Sequence, residues 1–391
     1  MNIAVTMYGI NNMGGVPPYA RAMAEGFRAL GENADLLYIS QRKKKVPGAT
    51  KTFGGVEFEV IDLDEEYKRK MDKYDLVIHT IPCPHVGVAR HKITKKNYKR
   101  YRNEVNWMDM YDIDSPIYSV IHDSYYEKFY PWYDWVLDKV DAHICIHENS
   151  WLYARRMPVK RFLTPMPIDL DDMIHKYDSS SRERMAVSFN YFKPWKHVDQ
   201  LVRIVPELQK ADVKVELFGS GYTYYHMRNP ELAPKKGYGT IWPDAMASDN
   251  FTYHDWQHDP NFKRDWYLKS MVTIDLSDSK WWQKNVTRVM MEGMKYGSIP
   301  IVREANKSMF YNEDNMVIVP KGMDLTKAIV NIIEDEDKRK EIATRNFNAV
   351  KRHDKKRVAE DILNMFKGKT EKLICYEDAV SNNVLDFFGD D

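Results

Sequence analysis

Short apolar runs alternate with amphipathic helical patterns along the first half of this sequence. The runs predict strands at 3–7, 34–39, 56–61, 74–81, 117–122 and 142–147. Helical periodicity separates several of them, notably over 17–30 and 95–108. Because a strand that is apolar along its whole length is buried on both faces, this order predicts a parallel sheet covered by helices on each side.

The alternation breaks after residue 147 and then begins again. Three prolines in 158–170 and a small, polar segment at 177–184 predict a linker between two domains. The second series predicts strands at 185–191, 213–219, 251–254, 271–276, 298–302 and 316–320, and helices at 195–210, 285–296 and 323–366. In such sheets a ligand binds beyond the carboxyl ends of the strands, so two facing halves of this kind would place a cleft between those ends.

The composition narrows the class of protein. With 391 residues, of which 43% are hydrophobic and 29% charged, the chain is long enough for two globular cores. The net charge is only +1, so a polyanion would have to bind a local basic patch. Cys83, Cys145 and Cys375 lie far apart without CxxC spacing, which favours a reducing compartment and argues against a cysteine metal site. No apolar run reaches the roughly 20 residues of a membrane helix, and the N-terminus lacks a signal-peptide pattern, so we expect a cytoplasmic protein.

The first candidate site is a strand that runs into a glycine loop and then a helix at 8–27. Gly14 and Gly15 let the backbone approach a ligand closely, and the free N–H groups of the helix that begins near Val16 favour an anion. The loop is neither a dinucleotide fingerprint nor a Walker loop, because GxGxxG and GK[ST] are both absent. A plain turn between strand and helix is the alternative.

Two further strand-to-helix segments lie in the second half. In 285–302 the start of a helix could hold a phosphate, and the Glu292 carboxylate could accept from both hydroxyls of a ribose. In 190–201 Lys193 and Lys196 stand at a helix start, where a lysine opposes the helix dipole unless an anion is bound. The alternatives are a solvated helix glutamate and two exposed lysines.

In their order along the chain, the segments 8–27, 190–201 and 285–302 resemble those of the two-domain glycosyltransferases of the GT-B type, which bind a nucleotide diphosphate sugar. Within that group the sequence is most similar to the bacteriophage DNA α-glucosyltransferases that modify 5-hydroxymethylcytosine. The likeness rests on GGV at 14–16, KNYKRY at 96–101, HD at 122–123, WK at 195–196 and EGMKYGSIPIV at 292–302. Two positions depart from the pattern: no arginine precedes the lysine of the phosphate motif, and Lys284 replaces the first glutamate of the EX7E pair.

The resemblance implies an α/β GT-B fold with two Rossmann-like domains that face each other across a cleft. The acceptor-side domain would be 1–170, the nucleotide-sugar domain 171–350, and 351–391 a C-terminal helix and tail that returns toward the first domain. The donor would be a UDP-sugar, transferred with retention of configuration. We expect it to contact Gly14, Gly15, Val16, Lys193, Lys196, Arg288 and Glu292.

The resemblance also assigns the chemistry to the end of the strand at 117–122. Asp123 would take the proton of the incoming hydroxyl or stabilise an oxocarbenium-like centre, and His122 would hydrogen-bond the sugar or the acceptor. A helix-capping pair is the alternative. No obligatory metal is expected, because lysines and helix N-termini can neutralise the leaving diphosphate.

A basic segment indicates the acceptor. Residues 90–102 hold seven lysines or arginines and no acid, with Tyr98 and Tyr101 between them, and 42–45 adds four more basic residues. Cations interleaved with aromatic rings suit phosphate contact and base stacking, although a solvated helix face is the alternative. The candidate nucleic-acid contacts are Lys95, Lys96, Lys99, Arg100, Arg102, Arg42 and Lys43.

We therefore predict an enzyme that moves glucose, or a pentose such as arabinose, from UDP-glucose or UDP-arabinose to hydroxymethylated cytosine in double-stranded phage DNA. We expect it to be a monomer in the host cytoplasm that does not bind a membrane. One alternative keeps the fold and the chemistry but acts on a lipid, glycan or protein. Another, from a different class, is a nucleotide-sugar epimerase or an inactive DNA-binding protein.

Overall fold

The structure is a computed structural model that describes residues 1–8, 15–40, 49–53, 55–64, 66–80, 107–122, 139–147, 150–151, 154, 159–190, 196–219, 241–254, 260–277, 287–304 and 311–369. Contacts within the chain divide it into two units, Met1–Asp169 together with the chain from Arg352, and Leu170–Lys351. None of the helices in the described ranges is long and apolar enough to cross a bilayer.

The first unit is built on an eight-stranded sheet. Its strands are β1 (Asn2–Tyr8), β2 (Asn33–Ser40), β3 (Thr50–Phe53), β4 (Val56–Asp62), β5 (Leu76–His79), β6 (Ile117–Ile121), β7 (Ala142–Cys145) and β8 (Lys160–Leu163). Their spatial order is β3-β4-β2-β1-β5-β6-β7-β8. All neighbours are parallel except β3 and β4, which form an antiparallel pair at one edge. The strand β8 lies inside the segment predicted as a linker, so that part of the linker prediction is wrong.

The second unit is built on a six-stranded parallel sheet. Its strands are β9 (Glu183–Phe189), β10 (Lys214–Phe218), β11 (Phe251–His254), β12 (Ser270–Asp275), β13 (Ile299–Arg303) and β14 (Val317–Val319), in the order β11-β10-β9-β12-β13-β14. Apolar side chains from both faces of this sheet form the core, together with those of the helices that cover it.

Four of the predicted helical segments are present in the described ranges, some with other bounds, and the predicted helix over 95–108 lies almost wholly outside the described residues. Three described helices, Tyr67–Met71, Ile241–Met246 and Pro260–Lys269, were not predicted. The described helices are α1 (Val16–Ala29), α2 (Tyr67–Met71), α3 (Val198–Arg203), α4 (Val205–Lys210), α5 (Ile241–Met246), α6 (Pro260–Lys269), α7 (Arg288–Lys295), α8 (Leu325–Glu334), α9 (Glu336–Ala349) and α10 (Lys355–Phe366). The single helix predicted over 195–210 is two helices, because Pro206 in the first turn of α4 has no N–H to continue α3. The helix predicted over 285–296 begins at Arg288, and the helices predicted over 323–366 are α8, α9 and α10.

The last described helix, α10, belongs to the first unit. Asp354 caps it, because the side chain accepts from the backbone N–H groups of Lys356 and Arg357 at 3.0 Å each. The helix packs on α1 at Gly26, where an added Cβ would lie 2.2 Å from the Lys355 carbonyl oxygen. Glycine therefore permits close approach of these two helices, and their apolar faces share the core of the first sheet.

The strand order locates the ligand-binding edge of each sheet. In an open parallel sheet, ligands bind at the carboxyl ends of the strands, where the connections leave in opposite directions from two neighbouring strands. In the first sheet these neighbours are β1 and β5, and in the second they are β9 and β12. The residues at these points, His79 and Thr80 in the first unit and Asn190 and Asp275 in the second, are buried and polar.

Candidate functional site

A buried carboxylate lies at the point in the second sheet where the strand order reverses. Asp275 ends β12, is wholly buried, and accepts hydrogen bonds on both oxygens. Oδ2 accepts from the Thr287 hydroxyl at 2.7 Å, and Oδ1 accepts from the backbone N–H of Ser277 at 3.1 Å and from its hydroxyl. The Lys196 ammonium lies 3.8 Å from the same Oδ2. We call these four residues the Asp275 cluster.

The Asp275 cluster fixes the start of α7. Thr287 is the N-cap of that helix, and its hydroxyl oxygen also accepts from the backbone N–H of Met290 at 3.5 Å. The first turn of a helix carries backbone N–H groups that have no partner within the helix and a partial positive charge. Lys196 and this first turn therefore lie on two sides of one buried carboxylate, and both suit an anion.

A second charged group follows one turn later on α7. Glu292 accepts from Arg288 Nε at 2.8 Å on one oxygen and from Lys263 Nζ at 3.1 Å on the other, and its side chain is only 15% exposed. We call these three residues the Glu292 triad. Burial alone would raise the pKa of the Glu292 carboxyl, but the two cations outweigh burial and lower its pKa to about 2.

The Glu292 triad therefore presents an ionised acceptor in a fixed orientation. An ionised carboxylate has about four lone-pair positions, and the two described bonds use two of them. The remaining positions can accept from a pair of neighbouring hydroxyl groups. The alternative of a solvated glutamate on the helix surface is wrong, because the side chain is largely buried between two cations.

A buried arginine holds together the two helices that carry the Glu292 triad. Arg182 donates to the carbonyl oxygen of Tyr267 in α6 at 3.1 Å, and also to those of Ser270 and Tyr296 at the ends of α6 and α7. Gly297, with φ of +76°, ends α7, and an added Cβ there would lie 2.6 Å from Arg182 Nη2. The hydrogen bonds of the Arg182 guanidinium to these backbone carbonyls therefore help to hold α6 and α7, and with them the Glu292 triad, in position.

In the first unit, His122 follows β6 and bonds the neighbouring strand. Its Nε2 lies 2.7 Å from the Thr80 carbonyl oxygen, which can only accept, so Nε2 carries the proton. Burial lowers the pKa of His122 to about 4 despite that bond. The ring is therefore neutral at neutral pH, and its Nδ1 presents a lone pair. Tyr19 of α1 packs edge-on against the ring, with centroids 5.1 Å apart.

Other histidines of the first unit are also buried and neutral. Burial lowers the pKa of His147 to about 3, and the nearby His122 and His353 lower it further. The pKa of His353 is also lowered to about 3, mainly by burial, although its Nδ1 donates to the Met166 carbonyl oxygen at 2.8 Å. No group of acids, histidines and cysteines within the described ranges has the geometry of a metal site.

The structure describes six of the predicted site residues. Lys196, Arg288 and Glu292 belong to the two charged clusters of the second unit, whereas Gly15 and Val16 begin α1 and His122 follows β6 in the first. Gly15 has no neighbour within 4 Å of an added Cβ, and Val16 is buried in the core, so only its backbone is suited to a ligand. The others lie outside the described residues: Gly14, Asp123, Lys193, Arg42, Lys43, Lys95, Lys96, Lys99, Arg100 and Arg102.

Four residues of these clusters were not predicted: Asp275, Ser277, Thr287 and Lys263. Thr287 could have been found, because threonine directly before a helix is a typical N-cap. Asp275 follows an apolar run in the same way as Asp123, so the same argument applies to it. Lys263 carries no such signal, because only the packing of α6 against α7 brings it to Glu292.

Comparison with known proteins shows the fold. No family model and no curated protein matches the sequence. An α-glucosyltransferase in complex with UDP-glucose and DNA containing an abasic site matches with a TM-score of 0.65 and 14% identity, over 94% of this chain and 99% of that one. An α-glucosyltransferase with UDP and a 13-mer DNA containing an HMU base matches with a TM-score of 0.65 and 15% identity, over 94% and 99% of the chains. Anabaena HepE in complex with UDP matches with a TM-score of 0.65 and 13% identity, over 94% and 100%.

These likenesses define the class of the fold. The chain has the GT-B fold, with two sheets of parallel strands in the arrangement found in those glycosyltransferases. The predicted α/β fold class is therefore confirmed. So is the resemblance to the phage α-glucosyltransferases, at the level of fold.

The buried histidines predict that the first unit is sensitive to acid. The pKa of His353 is about 3 when folded and about 6.5 when unfolded, so the unfolded state binds more protons between these values. The contribution of the neutral His353 ring to the free energy of unfolding is therefore fully present above pH 6.5 and is lost as the pH falls. Replacing His353 with glutamine keeps a donor for Met166 but removes the titration. The drop in the free energy of unfolding between pH 7 and pH 5 should shrink by up to about 2 kcal/mol.

Urea unfolding followed by circular dichroism at the two pH values measures this difference. His175→Gln, which replaces an exposed histidine of the second unit, is the matched control and should leave the drop as in wild type. An equal drop in His353→Gln and wild type would contradict the prediction.

Proposed function

We propose that the protein is a retaining glycosyltransferase that moves a sugar, glucose or a pentose such as arabinose, from a UDP-sugar to 5-hydroxymethylcytosine in double-stranded phage DNA. The observation that carries the proposal is the Glu292 triad, which presents an ionised acceptor on α7. The start of the same helix lies beside Lys196 and the buried Asp275 carboxylate. The GT-B fold supports it, because two proteins with this fold, an α-glucosyltransferase and Anabaena HepE, were solved with UDP or UDP-glucose.

The donor is proposed to bind to the second unit. The 2′ and 3′ hydroxyls of the ribose would donate to the free lone pairs of Glu292, which Arg288 and Lys263 keep ionised and oriented. The diphosphate would lie against Lys196 and the first turn of α7, with Lys193 as a further cation. Positive charge there also stabilises the UDP leaving group as the glycosidic bond breaks. Gly14, Gly15 and Val16 are proposed to contribute backbone N–H groups from the first unit.

The chemistry is proposed for the end of β6. Asp123 would accept the proton of the hydroxymethyl group or stabilise the oxocarbenium-like centre. His122 would accept through Nδ1 from a hydroxyl of the sugar or the acceptor, since Nε2–H is already used by Thr80. No obligatory metal is included in the proposal, because the cations of the second unit can take its electrostatic role.

The acceptor is proposed to be DNA. Two of the similar structures contain DNA together with UDP or UDP-glucose. The basic segment 90–102, with Arg42 and Lys43, would contact its phosphates. We propose a cytoplasmic monomer that acts on DNA and not on a membrane. Transfer to a lipid, glycan or protein, and loss of activity in a DNA-binding protein, are the outcomes that the acceptor experiments would reveal.

The proposed contact between Glu292 and the ribose can be tested with UDP and with UDP that lacks the ribose hydroxyls. If Glu292 binds the ribose, Glu292→Gln should weaken UDP binding about ten- to a hundredfold, because a charge-assisted contact is lost. UDP that lacks both ribose hydroxyls should bind wild type and Glu292→Gln equally weakly, because it cannot use the carboxylate. Isothermal titration calorimetry measures all four affinities.

Lys327→Ala removes an exposed cation of the same unit and is the control, with UDP binding unchanged. If Glu292→Gln binds UDP as wild type does, the carboxylate does not hold the ribose and the donor site is misplaced.

The chemical step is tested at Asp123. Asp123→Asn keeps the shape of the side chain but removes its charge and basicity, so turnover should collapse while the UDP-sugar still binds. Transfer is measured by mass spectrometry of nucleosides after incubation of modified DNA with UDP-glucose or UDP-arabinose. Near-normal turnover in Asp123→Asn would make the side chain structural. Release of UDP without a modified nucleoside would instead favour another acceptor.

Binding to DNA is tested by its salt dependence. If 90–102 follows the phosphates, replacing Lys95, Lys96, Lys99 and Arg100 by alanine should weaken binding to any duplex. The slope of log affinity against log salt should flatten by up to about four units, since each neutralised phosphate contributes about −0.9. Fluorescence anisotropy at several salt concentrations measures both, with UDP affinity as the control. Identical slopes would remove DNA contact from this segment and favour a lipid or glycan acceptor.

A further inference from the structure

Asp275 is a buried acid in a position that does not favour one. It is wholly buried at the end of a strand that is buried along its whole length and carries no other charged residue. Burying an ionised carboxylate is costly unless several donors compensate it. Its donors come from three separate elements: the loop after β12 at Ser277, the N-cap of α7 at Thr287, and the segment before α3 at Lys196.

We infer that Asp275 is a positioning residue that sets the Lys196 ammonium and the first turn of α7 at the places where they bind the diphosphate of the donor. The inference deepens the proposed function and rests on it. Lys196 and Thr287 both lie within 4 Å of the same oxygen, Oδ2, so one atom fixes their separation. Oδ1 is held by Ser277, and the carboxylate therefore cannot turn to follow either partner alone.

The direction in which UDP affinity changes when Asp275 is neutralised distinguishes a positioning role from a purely electrostatic one. An acid this close to an anion site repels the anion, so a carboxylate with no positioning role would weaken UDP binding. Its neutralisation would then tighten binding. A positioning role predicts the opposite result, because Lys196 and the helix start lose their common anchor when the charge is removed.

Asparagine is the informative replacement because it cannot reproduce the bonds of Asp275. If the amide NH2 takes the place of Oδ1, it faces the backbone N–H of Ser277, which can only donate. If it takes the place of Oδ2, it faces the Lys196 ammonium, which also only donates, and the Thr287 hydroxyl would have to turn and accept from the amide instead of donating. Either orientation breaks the bonds on one side of the cluster.

Two ligands distinguish positioning from loss of structure. UDP carries the diphosphate and uridine does not, although both carry the base and the ribose. Asp275→Asn should weaken UDP binding about ten- to a hundredfold and leave uridine binding within about twofold of wild type. General damage to the second unit would weaken both ligands alike. Isothermal titration calorimetry gives both affinities, and circular dichroism reports the fold.

Thr287 provides a matched pair in case Asp275→Asn does not fold. Thr287→Val keeps the shape of the side chain but has no hydroxyl to donate to Asp275, whereas Thr287→Ser keeps it. Thr287→Val should lose the preference for UDP over uridine, and Thr287→Ser should restore most of it. Ile329→Val, in the core of the same unit, removes one buried methylene and should leave both affinities unchanged.

Several results would overturn the inference. Tighter or unchanged UDP binding in Asp275→Asn would make the carboxylate a bystander, and equal weakening of UDP and uridine would make it structural. Equal preference in Thr287→Val and Thr287→Ser would break the link through the hydroxyl. If wild type itself does not prefer UDP to uridine, the proposed function fails together with the inference, whereas a wild-type preference that Asp275→Asn retains defeats the inference alone.

Discussion

Parallel pairing of the strands decides which residues can act together in each unit. Because neighbouring strands run the same way, their carboxyl ends lie along one edge of the sheet, and the loops that leave this edge bring in the next helices. In the second sheet, β9 and β12 are neighbours although 80 residues separate the end of one from the start of the other, Phe189 from Ser270. This crossover allows Lys196, which follows β9, to meet Asp275, which ends β12.

The charged groups at this edge are stable because none is buried alone. An isolated buried ion would cost several kcal/mol, and a buried pair recovers that cost only when its remaining donors and acceptors are also satisfied. Glu292 has a cation on each oxygen, and Asp275 has hydroxyl, backbone and ammonium donors. Removing one partner leaves a donor or acceptor in each group without its bond, so these groups behave as units. Arg182 follows the same pattern at two of its nitrogens, because Nη1 and Nη2 donate to the carbonyl oxygens of Tyr267, Ser270 and Tyr296.

Most of the fold was predictable from sequence, whereas much of the site was not. Apolar runs and helical periodicity are local, so they predicted most of the described strands and several of the helices, but not the helix that carries Lys263. They missed β3 and β8, which are short edge strands with partly exposed residues of mixed polarity. They predicted α3 and α4 as one helix, although Pro206 in the first turn of α4 begins a new helix. Glu292 could be chosen because it lies on a recognisable helix. Its partner Lys263 could not, since contacts between elements follow from packing and leave no trace in spacing along the chain.

The two units differ in how their polar edges are kept neutral or charged. In the first, burial removes the charge of the histidines, and His122 presents a neutral ring from pH values above about 4. In the second, cations keep Glu292 ionised above a pH of about 2. Neither His122 nor Glu292 therefore changes its protonation between pH 5 and 8. A terminal phosphate, whose second proton leaves near pH 6, does change in that range. UDP itself can therefore supply a pH dependence of binding in this range, because its extra negative charge above pH 6 favours the cations around α7.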